Sequence, residues 1–309
     1  MYIYHHWRGL KDKHKKIVVG LGNFDGLHIG HQQLISEIMA MAKEIGGTPT
    51  VFTFTPHPLA VLRPDSCPQL LLSQEAKQRR IESLGVEVLL LAPFDLEFAR
   101  ISPEYFISNV LHQELGVSGV VVGYNYTFGY RGQGTPALLE EQAARHNYRL
   151  RVVPPVVIDG QVVSSSMIRE LMYKGDVENS AKFLGYYPFT EAQVVTGERR
   201  GGTLGFPTAN LNIDNNLLVP ANGVYAVHVD IAGETYLGVA NIGVKPTFKG
   251  QVRNIEVHLL DFYQDLYGKN IRVKFIRRLR EEKRFDTTSD LVKQIKQDIV
   301  QARLAAGCR

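Results

Sequence analysis

The amino-acid sequence predicts an α/β domain with a doubly wound parallel sheet, followed by a small antiparallel β-barrel with a C-terminal helix. Up to residue 186, short apolar runs alternate with helical patterns, which is typical of parallel strands joined by helices. From residue 187 onward, β-branched and aromatic runs separated by Gly, Pro and Asn replace that alternation. We therefore expect two domains, residues 1–186 and residues 187–309.

The size and composition of the chain agree with two cores. Its 309 residues are 44% hydrophobic, and domains commonly take about 100 to 200 residues each. The net charge of +4 is compatible with small polyanionic substrates and is too weak to indicate nucleic acid. Two cysteines without metal-ligand spacing fit a reducing cytoplasm. With no signal-peptide pattern and no apolar run of about 18 residues, we expect a cytoplasmic protein that binds neither membrane nor nucleic acid.

The elements of the first domain follow from hydrophobic periodicity. Residues 1–16 predict a short strand and a basic lead-in, and residues 17–21 predict a buried strand. After a glycine-punctuated turn, apolar residues recur on one helical face from residue 34 to residue 45. The further predicted strands are 49–55, 86–91, 117–122 and 148–153, and the further predicted helices are 74–84, 102–115, 135–146, one starting at 164 and 176–184.

The second domain shows the pattern of a barrel. Its predicted strands are 189–196, 223–231, 235–242, 253–260 and 271–279. A helical pattern returns at the end of the chain, with apolar residues spaced by four at Leu291, Ile295 and Ile299. Antiparallel strands closed by one helix favour a small β-barrel.

The run GNFDGLHIGH, from Gly22 to His31 and called here the glycine turn, joins a strand to a helix. A helix start directs free N–H groups and a positive dipole end at whatever lies above it, which favours anions. His28 and His31 can each donate to phosphate oxygens, and both are also compatible with ordinary polar turn residues. The predicted phosphate contacts of this turn are Gly22, Asn23, Phe24, Asp25 and Gly30.

Polar and aromatic residues follow other strands of the predicted sheet. Ligands in such sheets bind beyond the carboxyl ends of the strands, where residues 55–58 and 123–129 are placed. The aromatic residues of the second segment could hold a flat heteroaromatic ring or simply pack under a lid. Further on, Ser164 and Ser165 can cap a helix and bind phosphate, and Arg169 adds a charged donor on the same turn.

A second glycine-rich run lies in the predicted barrel, between Gly197 and Asn210. Its three central glycines permit close approach to phosphates, and two arginines before them add charge. Thr208 and Asn210 offer the hard, neutral oxygen ligands that suit Mg²⁺ carried by ATP. The predicted phosphate contacts of this run are Gly201, Gly202 and Gly205.

Four of these motifs resemble those of known enzymes. The glycine turn resembles the HxGH signature of the nucleotidyltransferase superfamily, in the version found in FMN adenylyltransferases. The run from Ser164 to Arg169 resembles that superfamily's ISSTxxR signature, although Val162 stands where many relatives carry Lys or Arg. The second glycine-rich run, ending in Pro-Thr-Ala-Asn, is similar to the riboflavin kinase motif, and residues 254–258 resemble its general-base segment.

Over residues 15–300 the chain resembles the bacterial bifunctional riboflavin kinases and FMN adenylyltransferases, often called FAD synthetases. The resemblance implies a Rossmann-like nucleotidyltransferase domain that adenylylates FMN to FAD with release of pyrophosphate. It also implies a riboflavin kinase-like barrel that phosphorylates riboflavin to FMN, with ATP and Mg²⁺ as further ligands. The catalytic residues implied are Glu256, as general base of the kinase, with His28, His31 and Arg169 in the other domain, and the implied flavin contacts are Asn125, Phe128, Arg280 and Phe285.

Four other interpretations stay open at the level of sequence. The barrel could phosphorylate a different alcohol, or the chain could bind flavins without turnover as a regulatory protein. Glu256 alone would fit an outward-facing residue of an alternating strand. The basic segment 269–284 could bind nucleic acid, although interrupting acids favour a solvated face.

Overall fold

A computed structural model describes residues 1–197, 202, 204–247 and 250–307. It contains two compact units. The first consists of Met1–Pro68 and Ser73–Ser164, and the second of Gln69–Leu72 and Ser165–Arg309. The domain boundary predicted near residue 186 stays a prediction, since residues 165–186 cluster here with the second unit.

The first unit is the predicted doubly wound α/β fold. Its central sheet has the strand order β1-β4-β3-β2-β5-β6, and every neighbouring pair is parallel. The strands are β1 Tyr2–Tyr4, β2 Val18–Leu21, β3 Pro49–Thr55, β4 Val88–Pro93, β5 Gly119–Gly123 and β6 Arg149–Val153. The helices are α1 Leu10–Lys13, α2 Ile29–Ile45, α3 Pro58–Leu62, α4 Gln74–Ser83, α5 Pro103–Tyr105, which continues as a π-helix over Phe106–Glu114, and α6 Pro136–His146.

The strand order places a ligand crevice at one position. From β2 the sheet grows to β3 on one side and to β5 on the other, so the direction of the strand order reverses between β2 and β5. Open α/β sheets bind ligands at such a reversal, beyond the carboxyl ends of the strands. The glycine turn follows β2 and the aromatic loop 123–129 follows β5, so both border this crevice.

Helix α2 packs closely on the sheet because β2 contains a glycine. A side chain at Gly20 would overlap Ile38 of the helix. Leu34, Ile38 and Met41 are buried, as the sequence periodicity predicted, and Gly46 ends the helix in the left-handed conformation. Close packing of α2 on β2 fixes the position of the helix start beside the crevice.

The second unit holds the predicted β-barrel. It begins with α7 Ser165–Lys174 and α8 Val177–Leu184, after a short hairpin of β7 Val157–Ile158 and β8 Gln161–Val162 that ends the first unit. The barrel strands are β9 Phe189–Val195, β10 Ala209–Asn212, β11 Gly223–Ile231, β12 Glu234–Thr247, β13 Gly250–Leu259 and β14 Asn270–Arg280. They close in the order β10-β13-β12-β11-β14-β9 with antiparallel neighbours, and helix α9 spans Thr288–Ala305.

Five of these barrel strands were predicted, with ends that differ by a few residues, and β10 was not. Strand β10 has four residues and lies within the Pro-Thr-Ala-Asn run, so its sequence carries too few alternating positions to indicate a strand. It pairs with β9 and β13, and both pairs are antiparallel. This short strand closes the barrel.

Within the described residues, no helix is long and apolar enough to cross a membrane.

A buried ion pair attaches helix α9 to the barrel. Asp298 is 4% exposed and accepts hydrogen bonds from Arg280 Nε at 3.0 Å and from Arg280 Nη2 at 2.9 Å. Gln294 Nε2 donates to the same carboxylate at 3.0 Å. Two parallel N–H···O bonds fix the guanidinium and carboxylate planes together. Arg280 therefore joins the end of β14 to α9.

We predict that Asp298→Ala lowers the free energy of unfolding by about 3 to 5 kcal/mol, because it leaves the Arg280 guanidinium without its carboxylate. Urea denaturation followed by circular dichroism measures the loss. The matched control is Asp261→Ala, whose partner Arg303 lies on the same helix in an exposed pair at 2.8 Å. That substitution should cost less than about 1 kcal/mol. Equal losses for the two variants would contradict the structural role of the buried pair.

Candidate active sites

The glycine turn reverses the chain between β2 and α2 through an unusual backbone conformation. Phe24 has φ of 50°, in the left-handed region, although it is a bulky residue with no exposed surface. Such a conformation costs about 1 to 3 kcal/mol and persists where surrounding packing holds it. A short 3-10 turn, Asp25–Leu27, follows, and α2 begins at Ile29. The turn thus leads from the sheet edge directly to a helix N-terminus.

The two histidines of the turn lie face to face at this helix start. The ring centroids of His28 and His31 are 3.7 Å apart, with the planes 16° from parallel. His28 is the N-cap of α2, and its Nδ1 accepts a hydrogen bond from the His31 amide at 3.3 Å. The accepting Nδ1 carries no proton, so a neutral His28 holds its proton on Nε2. That N–H is a donor of the kind phosphate oxygens accept.

His31 is held neutral by its surroundings. Burial lowers the pKa of His31 well below its usual value, and the neighbouring His28 and Lys77 lower it further. Among the described residues, His31 Nδ1 is buried and has no hydrogen-bond partner. The Phe24 ring lies 5.3 Å from the imidazole and supports His31 by packing, and the predicted contact of Phe24 with ATP stays a prediction. A neutral ring with a partnerless buried nitrogen is suited to bind a ligand that brings its own acceptor or donor.

Glycine at position 30 lets the histidine pair sit against the backbone. A side chain there would lie about 3.2 Å from the His28 ring, closer than nearly all real contacts of this kind. Gly22, at the other end of the turn, would place a side chain 3.1 Å from the Phe24 ring. Both predicted glycine positions are thus constrained by the aromatic side chains around them.

A cation that the sequence analysis did not select lies at the same turn. Lys77 of α4 is only 9% exposed, and its Nζ is 3.4 Å from the carbonyl oxygen of Asn23. The same oxygen accepts a hydrogen bond from Thr53 Oγ1 at 3.1 Å. Burial lowers the pKa of Lys77, and the buried carboxylate of Asp25 opposes that change. The turn therefore contains a desolvated positive charge.

The loop after β5 separates the two flavin contacts predicted in this unit. Asn125 is exposed, whereas Phe128 is 7% exposed and belongs to the core, with its ring 5.4 Å from Phe106. The Tyr126 ring stacks on Phe128 at 5.8 Å, and burial raises the pKa of its hydroxyl. Of the two predicted residues, Asn125 is the one whose side chain is accessible, and both assignments stay predictions.

The segment that resembles the second nucleotidyltransferase signature begins where the chain passes from the first unit to the second. Ser164 ends the first unit, and Ser165 is the first residue of α7 in the second. Arg169 is 8% exposed, and its Nε donates to the carbonyl of Gln69 at 2.9 Å. Val162, which replaces a basic residue of the signature, is 44% exposed on the β7–β8 hairpin. It stays a prediction that the ATP phosphates are bound by Ser164, Ser165 and Arg169.

In the barrel, Glu256 lies close to Thr208 and Asn210, the two predicted metal ligands. Thr208 Oγ1 is 3.4 Å from Glu256 Oε2, and Asn210 is directly opposite Glu256 in the β10–β13 ladder. The neighbours Ile255 and Val257 are fully buried while Glu256 is half-buried, so alternation places the carboxylate on the face away from the barrel core. Asn254, on that same face, donates to Glu256 Oε1 at 2.9 Å. The predicted kinase site therefore lies on the outward face of the barrel strands β10 and β13.

Two further contacts hold this site in place. A side chain at Gly197 would overlap the amide of Asn210, so glycine is required for Asn210 to take its position. His258 of β13 makes a hydrogen bond through Nδ1 with the carbonyl of Pro207 at 2.8 Å, and its ring meets Phe206 edge to face at 5.5 Å. His258 thus fixes the segment that presents Thr208.

The remaining predicted residues of the barrel have different surroundings. Gly205 has φ of 85°, which favours glycine, and its amide donates to Gly202 at 3.2 Å. Gly201 and the two preceding arginines lie outside the described residues. Arg280 donates hydrogen bonds to Asp298 and to the carbonyl of Glu281. Its guanidinium lies 5.8 Å from the Phe285 ring. Arg280 is better placed to orient Phe285 than to contact a flavin itself, and its assignment stays a prediction.

The two predicted metal ligands, Thr208 and Asn210, have side-chain oxygens of the kind that suits Mg²⁺, and the Glu256 carboxylate lies beside them. A hydroxyl, a side-chain amide and a carboxylate present hard oxygen atoms on one face of the barrel, and Asn210 is 8% exposed. Mg²⁺ usually keeps waters and nucleotide phosphates as further ligands, so two or three protein oxygens suffice. Among the described residues, no cluster of three His, Cys, Asp or Glu side chains could hold a metal by itself.

Sequence reasoning missed four residues that shape these sites. A signal existed for Lys77, which lies one helical turn before buried Ile81 and so on the inner face of α4. Asn254 shares a strand face with Glu256, which the period of two would have shown. Gly197 and His258 act through segments distant in sequence, and no local pattern reveals such contacts.

Comparison with known proteins gives matches over both units. A family model described as FAD synthetase matches residues 10–167, and one described as riboflavin kinase matches residues 184–306. The bifunctional riboflavin kinase/FMN adenylyltransferase of Bacillus subtilis is 39% identical over 98% of this chain and 96% of its own length. The protein of the same name from Escherichia coli K12 is 34% identical over 93% of this chain and 91% of its own length.

A solved structure is also similar over the whole chain. It is described as a macrolide-efflux protein from Streptococcus pneumoniae. It superposes with a TM-score of 0.88 at 31% identity, covering 98% of this chain and 99% of that one. The fold described above is therefore found in an experimental structure.

We predict that the His31 imidazole is neutral at pH 6, because desolvation and its neighbours disfavour the imidazolium. Nitrogen NMR of the ring, assigned with His31→Gln, distinguishes the neutral from the cationic form. In the unfolded chain, the His31 imidazole takes up a proton near its ordinary pKa of 6.5. In the folded chain it stays unprotonated at that pH. The contribution of His31 to stability is thus complete above that pH and is lost as the pH falls below it. A cationic His31 at pH 6 would contradict the assignment.

Proposed function

The chain belongs to the bifunctional riboflavin kinase/FMN adenylyltransferase family, and from that premise we propose how its two active sites perform the two reactions. The barrel phosphorylates riboflavin to FMN with ATP, and the α/β unit adenylylates FMN to FAD and releases pyrophosphate. The observation that supports this division most strongly is that each unit contains its own group of predicted residues: Thr208, Asn210 and Glu256 on one barrel face, and the histidine pair at the start of α2.

In the kinase reaction, the 5′-hydroxyl oxygen of riboflavin bonds to the γ-phosphorus of ATP as the bond to the ADP oxygen breaks. Glu256 accepts the hydroxyl proton. Asn254 and Thr208 hydrogen-bond to separate oxygens of this carboxylate, so its orientation is set before substrate arrives. Thr208 and Asn210 would hold Mg²⁺, which would supply neutralisation of the charge on the phosphates of ATP.

In the adenylyl transfer, a phosphate oxygen of FMN bonds to the α-phosphorus of a second ATP as the bond to pyrophosphate breaks. The attacking group is already an anion, so no strong base is needed and the protein positions the reactants and stabilises charge. His28 donates from Nε2, and neutral His31 donates beside it at the N-terminus of α2. Ser164, Ser165 and Arg169 contribute further phosphate contacts, and Asn125 contacts the bound ligands.

Two parts of this proposal are supported less directly than the reactions. The cytoplasmic location is supported by the presence of only two cysteines in the chain. The domain division at residue 186 is supported by the riboflavin kinase match, which begins at residue 184.

A reciprocal pair of variants tests the proposal. Each protein is incubated with riboflavin, ATP and Mg²⁺, or with FMN, ATP and Mg²⁺, and the flavins are separated by chromatography over time. Glu256→Gln should lower the rate of FMN formation by about 10²- to 10⁴-fold, the contribution of a general base, while FAD formation from FMN continues. His31→Ala should lower FAD formation from FMN by about 10²-fold or more while FMN formation continues.

Matched controls are Glu140→Gln and His5→Ala, which change exposed residues of the same types in the first unit. Both should retain wild-type rates in both reactions. Riboflavin left unchanged by the wild-type protein would refute the kinase assignment. A variant pair that loses both activities together, or neither, would refute the division into two independent sites.

A further inference from the structure

The proposed adenylyltransferase site has one full positive charge among its phosphate contacts, the guanidinium of Arg169. A triphosphate carries several negative charges, and burial together with the neighbouring His28 and Lys77 lowers the pKa of His31 well below its usual value, so that His31 acts as a neutral donor. The position before the serine signature is Val162, which carries no charge. The N-terminus of α2 contributes the equivalent of only about half an elementary charge. Another cation in this unit would complete the site.

Lys77 is a cation in the required place. Its Nζ lies 3.4 Å from the carbonyl oxygen of Asn23, near the start of the glycine turn, and its charge lowers the pKa of His31. The side chain extends from α4, which packs against the Asp25–Leu27 turn. The ammonium group therefore approaches the turn from a different element than the histidines do, and it adds a charge beside their hydrogen-bond donors.

The surroundings of Lys77 do not balance its charge completely. Burying an ammonium group costs several kcal/mol unless partners compensate it. Asn23 supplies one carbonyl at a long distance, and Asp25 supplies a carboxylate whose effect on the Lys77 pKa is smaller than that of burial. A methionine would fill a similar volume at position 77 without this cost. A buried, incompletely balanced cation at an anion site gains its compensation when an anion binds.

We propose that Lys77 is a further phosphate-binding residue of the adenylyltransferase site, supplying at the glycine turn the positive charge that the triphosphate of ATP and the departing pyrophosphate require. The proposal rests on the proposed adenylyl transfer and names the residue that binds its leaving group. Because pyrophosphate carries more charge than the flavin phosphate, the loss of Lys77 should affect ATP and pyrophosphate more than FMN.

The test is inhibition of FAD formation by magnesium pyrophosphate, with FMN and ATP as substrates. Lys77→Met should raise the inhibition constant of pyrophosphate and the KM for ATP about tenfold or more, as expected for loss of a charge-assisted contact. Lys77→Arg keeps the charge and should stay within about threefold of wild type. Lys43→Met, an exposed lysine of α2, is the matched control and should change neither constant.

Thr53→Val separates the charge of Lys77 from its hydrogen bond. Thr53 is fully buried and donates to the same Asn23 oxygen, so this variant loosens the turn without removing charge. It should lower kcat while the pyrophosphate inhibition constant stays within about twofold of wild type. If Thr53→Val raises that constant as much as Lys77→Met does, Lys77 only supports the backbone and the proposal is wrong.

Two further outcomes are decisive. If Lys77→Met binds pyrophosphate as wild type does, or if neither Lys77→Met nor Lys77→Gln retains the wild-type melting transition, Lys77 is a structural residue and the proposal is refuted. If the wild-type chain makes no FAD from FMN, the proposed function fails instead. Calorimetric titration of wild type and Lys77→Met with magnesium pyrophosphate then tests Lys77 by itself, and equal affinities would refute its role.

Discussion

The hydrogen bond from the His31 amide to the His28 imidazole sets the geometry of the turn that we propose as the nucleotide site of the first unit. It caps α2, and it fixes the proton of neutral His28 on Nε2, so one contact sets the start of the helix and the direction of a donor. The contact depends on the turn before it, where Phe24 is held in a left-handed conformation by complete burial. Gly20 allows α2 to pack on β2 closely enough for the helix start to lie beside the crevice. Packing energy from the core is thus used to hold a strained, functional backbone.

The two units meet the same requirement by different means. Both must orient polar groups toward phosphates before substrate binds, because reorganising them during the reaction would raise its barrier. In the first unit, orientation comes from a helix start and stacked rings. In the barrel it comes from strand pairing, since Asn210 and Glu256 are opposite residues of one antiparallel ladder and Asn254 is one step along the same face. Barrel closure through the short strand β10 is therefore part of the site as well as of the fold.

Burial sets the protonation state of His31 and therefore limits the charge that this residue can supply. Desolvation and the His28 ring, whose centroid is 3.7 Å away, lower the pKa of His31, so its neutral imidazole donates a hydrogen bond without carrying charge. Lysine keeps its charge under greater desolvation, because its ordinary pKa lies about four units above that of histidine. His31 is therefore suited to act as a neutral, directional donor and Lys77 as a buried cation. The position of Lys77 at the turn agrees with this difference in roles.

The sequence by itself determined the two fold classes, the motifs of both sites and most of the elements, with the short strand β10 among the exceptions. These follow from local patterns, since strand and helix periods, caps and glycine positions are properties of neighbouring residues. Tertiary structure alone decided that α4 delivers Lys77 to Asn23, that His258 fixes Pro207 and that Gly197 makes room for Asn210. It also decided that Phe128 packs in the core while Asn125 stays exposed on the same loop. These contacts join residues far apart in the chain, or depend on which side of a loop meets the core, and no spacing rule along one strand or helix encodes either.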